Sequence, residues 1–407
     1  MRRTLAQLAC AALVWTSGCL THRAHQWERA DVSPQVVAGG LSLVIVGDPG
    51  APGRTPAAVA RGVSETLEAE RAAGRSPVVL WLGDNLLNRR GRLECDARSS
   101  TWNRAGIDEL ASVVRNHTQS GGAAFSLPGE TAYRCGAREA LRTDAQHPAA
   151  QPGVHYVVDL LRSGATRIAS TCNDGTCTDL PETTPASDDA SELTAQLVFV
   201  DLTPWIAGAR PAERDEDLRS LDTLMTALQD NPGPPRILVA TYPVEAAGFH
   251  GDGGGAPDSS VHMLAPPVGR ALAAGVFVGA IAGHDRASYA SHDITDGTIR
   301  GDRVFLPHAV FQVVSGAASA PDVRRTWRRL RFNSSVALVP DRYTPRPGFA
   351  VLRLGETSAA TLHAYRAGRW QTAVVPVTLR PAERPGLVDV PSTNACLRCP
   401  ELPYNER

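Results

Sequence analysis

Two short apolar runs, LSLVIV at 41–46 and VVLWL at 78–82, each stop at a glycine followed by an aspartate: Gly47-Asp48 and Gly83-Asp84. Apolar runs this short, ended by turn residues, fit buried strands better than helices. Between them Val59, Val63, Leu67 and Ala69 are set among charges in a helical pattern that reaches Arg75. Strand, helix and strand in that order predict a parallel βαβ unit and an α/β fold. In such sheets ligands bind beyond the carboxyl ends of the strands. Asp48 and Asp84 both stand at such ends, so the topology alone makes them neighbours.

The pattern recurs along the chain. AQLVFV at 195–200 is a strand, 218–228 a helix, and RILVA at 236–240 a strand ending in Thr241-Tyr242-Pro243. Residues 272–282 hold a short helix and then VFVGAIA, ending in Gly283-His284-Asp285-Arg286. A further piece, Leu127-Pro128-Gly129-Glu130-Thr131, lies between the second and third of these strands. Beyond about residue 305 the runs VFQVV, FAVLRLG, ATLHAYRAG and TAVVPVTL predict antiparallel strands joined by turns. Residues 173–192, rich in Thr, Ser, Asp and Pro, predict an exposed excursion. The Gly-rich 251–259 lacks the Gly-Lys-Ser/Thr ending of a phosphate-binding P-loop and is expected to be a plain loop.

The first nineteen residues have the grammar of an export signal. Arg2 and Arg3 precede an apolar stretch from Leu5 to Trp15, then Thr16, Ser17 and Gly18 lead to Cys19. That stretch is shorter than the ~20 residues a membrane-spanning helix needs. The ending resembles a bacterial lipoprotein box, with Cys19 as the lipidated residue. An ordinary cleaved signal is the alternative. The expected layout is a signal at 1–19, a polar tether at 20–39, one domain at 40–380, and a tail at 381–407. The expected location is the cell envelope, as a lipoprotein of the outer membrane or periplasm held by a lipid anchor at Cys19, or outside the cell as a secreted protein.

Export changes the reading of the cysteines. Cys95, Cys135, Cys172, Cys177, Cys396 and Cys399 remain after the signal and Cys19 are set aside. An even number in an oxidising compartment predicts disulfides. Cys172 and Cys177 flank Asp174-Gly175, a strong turn dipeptide, and are expected to clip a hairpin. Cys396 and Cys399 are expected to pair locally at the tail, which leaves Cys95 for Cys135. Zinc binding or redox exchange is the alternative for Cys396 and Cys399, and one CxxC without a second pair is a thin signal for zinc.

Charge bears on partners. The 41 basic residues are all arginine and face 42 acidic ones, a net charge of −1. Binding nucleic acid through bulk positive charge is therefore excluded. With 43% hydrophobic residues the chain is neither wholly disordered nor collagen-like.

Acids and a histidine at several strand ends, each after a glycine, suggest a metal site for oxygen-centred chemistry. Five blocks carry a closer resemblance: GDPG at 47–50, WLGDNLLNRRG at 81–91, LPGETA at 127–132, LVATYPVEAAGFHG at 238–251 and AIAGHDRASY at 280–289. In order and spacing they resemble the calcineurin-like metallophosphoesterases, and among them the tartrate-resistant purple acid phosphatases. VVSGAAS at 313–319 and PGFAVLRLG at 347–355 resemble the closing segments of that fold. The resemblance spans roughly residues 40–378. It implies a β-sandwich of two mixed sheets flanked by helices, in four layers (αββα), with a pair of metal ions at the strand ends.

The resemblance also implies which residues would hold those ions. Asp48, Asp84 (the bridging carboxylate) and His284 stand at ligand positions, and Glu130 stands where the family has asparagine. Leu87 replaces the tyrosine ligand, Thr241 the histidine before Tyr-Pro, and Arg286 the last histidine. Thr131 replaces a histidine that assists catalysis, while His250 matches one near the substrate. Even a supporting group of a metal site is worth ~10–100-fold in affinity or activity, so losing several ligands implies a decayed centre and a non-catalytic binding or scaffold protein. Two carboxylates ~4 Å apart repel by about 4 kcal/mol at an effective dielectric of 20. Arg286, a permanent cation, is expected to replace the lost ion against Asp48 and Asp84.

The alternative is a surviving phosphoesterase. It would use one divalent ion (Fe, Zn or Mn) on Asp84, Glu130 and His284, with Asp48 as a further ligand in one version, and with Arg286 and His250 gripping a phosphate-containing small molecule. Without the resemblance, the blander readings are aspartates capping helix N-termini, Glu130 paired with Arg134, and His284 and His250 as loop histidines. The sequence points to no particular protein partner.

Overall fold

The structure, a computed structural model, describes residues 40–47, 49, 55–83, 101–129, 149–180, 193–203, 211–244, 266–285, 287–299, 302–316, 318, 341–344, 346–355 and 357–379. The elements run β1 (Leu41–Gly47), α1 (Thr55–Ala72), β2 (Ser76–Leu82), α2 (Thr101–Gln119), β3 (Ala123–Leu127), β4 (His155–Leu161), β5 (Thr166–Asn173), β6 (Thr176–Thr178), β7 (Leu193–Val200), α3 (Pro211–Asp230), β8 (Arg236–Ala240), α4 (Pro266–Ala273), β9 (Gly279–Ala282), β10 (Ser288–Ile299), β11 (Asp302–Ser315), β12 (Arg342–Thr344), β13 (Gly348–Leu354), β14 (Ser358–Arg366) and β15 (Arg369–Val377). The export signal, the tether, Cys95, Cys135, the Gly-rich 251–259 and the tail with Cys396 and Cys399 lie outside the described residues.

The apolar runs bury both their faces. In β1, Leu41, Leu43 and Ile45 join one core cluster while Val44 and Val46 join another. In β2, Val78, Leu80 and Leu82 face the first cluster, and Val79 and Trp81 the second. Strands alternate sides with period two, so an uninterrupted apolar run requires a layer on each side. Two mixed sheets supply those layers. One has the order β15-β14-β13-β1-β2-β3, the other β12-β10-β11-β9-β8-β7-β4-β5-β6. Their facing sides share a central core in which Leu43, Leu80, Tyr156, Phe199, Ile237 and Leu352 meet. α1 and α2 cover the outer face of the first sheet through Val59, Val63, Leu67, Leu110 and Val114. α3 and α4 cover the second through Leu221, Leu224, Val268 and Leu272. The result is the expected four-layer metallophosphoesterase-type sandwich.

Several expectations need correction in detail. β11 pairs antiparallel with β10 but parallel with β9, so the C-terminal part is not wholly antiparallel. Of the excursion expected at 173–192, Asn173 and Thr176–Thr178 form part of the β5–β6 hairpin, and 181–192 lie outside the described residues. The helix read at 218–228 begins at Pro211. The Cys172–Cys177 disulfide forms as expected, across a turn with positive φ at Asp174 and Gly175.

Buried ions are matched within the fold. Glu70 of α1 accepts from Arg353 of β13 at 2.7 Å and from Arg75. Burial alone would raise the Glu70 pKa, but the two guanidiniums outweigh it and hold the carboxyl below its ordinary value. Arg236 donates to Gln196, Leu228 and Asn231, tying β8 to the end of α3, and burial lowers its pKa to about 10. Among the described residues no helix is long and apolar enough to cross a membrane.

Candidate functional site at the strand tips

Parallel register aligns the carboxyl ends of three strands in the first sheet: Gly47 of β1 lies opposite Leu82 of β2, and Leu82 opposite Leu127 of β3. In the second sheet Val200, Ala240 and Ala282 align across β7, β8 and β9, and Ala282 lies opposite Val314 of β11. The two sets of tips meet. The Ser315 hydroxyl donates to the Ile45 carbonyl at 2.9 Å, and the Ala318 N–H to the Gly47 carbonyl at 3.1 Å.

Glycine makes this approach possible. A Cβ on Gly47 would fall 1.8 Å from the Ser315 carbonyl oxygen and 3.0 Å from the Gly283 Cα. One on Gly283 would fall 2.8 Å from the Leu82 carbonyl oxygen. One on Gly83, whose φ is +61°, would fall 2.7 Å from the Gly129 Cα. Gly47, Gly83, Gly129 and Gly283 each stand one residue before an expected metal ligand: Asp48, Asp84, Glu130 and His284. The fold thus brings together the backbone positions that precede all four. Asp48, Asp84 and Glu130 themselves lie outside the described residues, as do Leu87, Thr131, His250 and Arg286.

His284 is described. It is 8% exposed and has φ of +65°. The Asp285 N–H donates to the Gly283 carbonyl at 2.9 Å, closing a γ-turn with His284 at its centre. Residues with a side chain seldom occupy that region, and holding one there takes ~1–3 kcal/mol from the surrounding structure. The Tyr242 ring packs against it in a tilted arrangement, with ring centroids 4.2 Å apart and planes at 52°. Asp285 is fully buried and accepts from the Tyr289 hydroxyl at 2.8 Å.

Thr241 stands where the resemblance implies an imidazole ligand. Its buried hydroxyl accepts from the Leu202 N–H at 3.3 Å, joining the tips of β8 and β7. Asp201, at the same edge, accepts from the Thr203 N–H at 2.9 Å, and its own N–H donates to His155 Nδ1 at 3.3 Å. Sequence reasoning did not single out Tyr242, Asp285, Tyr289, Asp201 or His155. Tyr242, Asp285 and Tyr289 lie inside the motif blocks, and their neighbours in the register were the available signal.

No family model and no curated protein sequence matches the chain. Solved structures do. GAP50, the anchor in the inner membrane complex of Plasmodium, superposes with a TM-score of 0.51 at 13% identity, covering 84% of this chain and 90% of its own. Purple acid phosphatase PPD1 from yellow lupin seeds superposes with a TM-score of 0.43 at 12% identity, covering 85% of this chain and 55% of its own. The likeness to GAP50 is one of fold.

Proposed function

We propose that the chain is an exported, purple-acid-phosphatase-like protein whose dinuclear site has decayed, acting as a non-catalytic binding or scaffold protein in the cell envelope. The observation that carries this reading is Thr241. At a position where the resemblance implies an imidazole, a buried hydroxyl is engaged with a backbone N–H instead. Leu87 and Arg286 are likewise unsuited to bind a cation. This donor set does not fit a pair of ions. In this reading Arg286 would take the place of the missing charge against Asp48 and Asp84. The Cys172–Cys177 disulfide supports an oxidising compartment and so export, with Cys19 as the lipid anchor. GAP50 supplies a precedent for an anchoring role on this fold.

A second reading is favoured by His284. A strained turn persists only where the surroundings enforce it, and such turns gather at working sites. Asp84, Glu130 and His284 would form an oxygen-and-nitrogen donor set that suits one Zn, Mn or Fe ion. Such an ion, when bound, would acidify a water for attack on a phosphate ester. Arg286 and His250 would then grip the phosphate of a small-molecule substrate.

One experiment separates the readings. The full chain, purified without chelators, is analysed for bound metal and assayed on a chromogenic phosphate monoester with added Fe, Zn or Mn. The proposal expects no turnover beyond that of the Asp84→Ala variant. Turnover that vanishes in Asp84→Ala would establish the single-ion hydrolase in its place.

A further inference from the structure

We propose that Tyr242 is the positioning residue of the strand-tip site, holding the His284 imidazole in one orientation before any ligand arrives. β8 and β9 run parallel with Ala240 opposite Ala282, so Tyr242 and His284 each stand two residues beyond a register pair. That offset keeps them side by side at the spacing of adjacent strands. The ring centroids are 4.2 Å apart, and Tyr242 is 1% exposed.

The backbone on either side of both rings is fixed. Before Tyr242, Thr241 takes the Leu202 N–H and locks the β8 tip to β7. Around His284 the γ-turn closes from Asp285 N–H to the Gly283 carbonyl. After it, the Asp285 carboxylate is held by the Tyr289 hydroxyl. Before it, Gly283 approaches Leu82 so closely that a Cβ there would fall 2.8 Å from the Leu82 carbonyl oxygen. The Tyr242 ring lies against one flank of the His284 imidazole and limits the rotation of its side chain. A ring restrained in this way has less rotamer freedom to lose on binding, which is worth about threefold to tenfold in affinity. This inference rests on the strand tips being the functional site, and it holds for either reading of what binds there.

The test uses the full chain. Histidine ring signals are followed by NMR, with His284 assigned by its loss in His284→Gln. In the wild type, Tyr242 and His284 ring protons should show a mutual NOE, and the His284 signal should be displaced by the tyrosine ring current. Tyr242→Phe should keep that displacement. Tyr242→Leu should abolish it and add ring mobility at His284. A Zn2+ titration of the same samples should show weakening by about threefold to tenfold in Tyr242→Leu and none in Tyr242→Phe. A His284 signal unmoved by Tyr242→Leu, or moved as far by Tyr242→Phe, would overturn the proposal, as would a missing NOE in the wild type. Absence of Zn2+ binding to the wild type would count against the single-ion reading, and the ring signals would still decide the role of Tyr242.

Discussion

The two sheets bring their strand tips to one edge by opposite means. In the first sheet the tips are defined by missing side chains: Gly47, Gly83 and Gly129 let backbone meet backbone. In the second, one glycine, Gly283, does the same, but the tips are otherwise defined by side chains that are buried and bonded: Thr241, Tyr242, His284 and Asp285. The difference separates shape from chemistry. A glycine in a backbone contact has no substitute that keeps the geometry. A bonded side chain can be exchanged whenever another can satisfy the same neighbour. Thr241, a buried hydroxyl bonded to the Leu202 N–H at an expected imidazole position, is where the proposed function puts such an exchange.

If that contrast holds, the largest effects should come from the first sheet. Gly47→Ala places a methyl group 1.8 Å from the Ser315 carbonyl oxygen, and neither strand can yield without breaking the junction of the sheets. We expect a loss of roughly 3 kcal/mol or more by urea unfolding. A loss under ~1 kcal/mol would show that the junction is looser than these contacts require. Gly83→Ala adds strain at φ of +61° to a contact of 2.7 Å with the Gly129 Cα. It should follow at roughly 2–3 kcal/mol. Equal tolerance of alanine at Gly83 and at Gly74, where φ is +73° but nothing lies within 4 Å, would remove the close approach from the explanation and leave only the dihedral.

The acid response sharpens the comparison by locating a titrating group away from the tips. His363 of β14 stacks on Phe349 with centroids 4.6 Å apart. Burial, reinforced by the nearby Arg353 charge and opposed by Glu70, pushes its pKa from 6.5 down to about 4. The folded state therefore holds a neutral ring that the unfolded chain would protonate. Stability from this group is intact above about pH 6.5 and erodes as pH falls toward 4. Between pH 7 and 5 the loss should be about 2 kcal/mol. In His363→Leu the same interval should show a correspondingly shallower slope of urea midpoint against pH. An unchanged slope would move the acid sensitivity elsewhere, with the strand tips the next place to look.

How much of this was readable beforehand follows from the same physics. β1, β2, β7 and β8 were recognisable because each is a short apolar run buried on both sides. The Cys172–Cys177 hairpin was recognisable because its turn chemistry is local. β4 was not, although it is equally buried, because His155 and Asp159 break the apolar run. Asp159 is tolerated there by Arg167 at 2.8 Å and Gln196 at 2.9 Å, and Gln196 comes from a strand far along the chain. β10, with the sequence SYASHDITDGTI, owes its form to pairing with β11. β3 consists largely of small residues, and α2 was not read as a helix at all. At the site, the glycines and the expected ligands were visible as motifs. The hydrogen bond of Thr241 and the ring packing of Tyr242 depend on neighbouring strands and could not be read from either segment alone.

The smallest expected effect tests the exchange itself. Thr241→Val keeps the shape but removes the acceptor, leaving the buried Leu202 N–H without its oxygen, and should lose about 1 kcal/mol. Thr241→Ser keeps the acceptor and should stay within about 0.5 kcal/mol of the wild type. If both variants match the wild type, the hydroxyl contributes nothing to the tip of β8, and its presence in place of an imidazole carries no structural meaning. If serine holds and valine fails, the hydroxyl's bond to the Leu202 N–H holds the tip of β8 to β7, as the proposed function requires. The strand-tip edge is then held together by the polypeptide itself, and a resident ion is not needed to keep its shape.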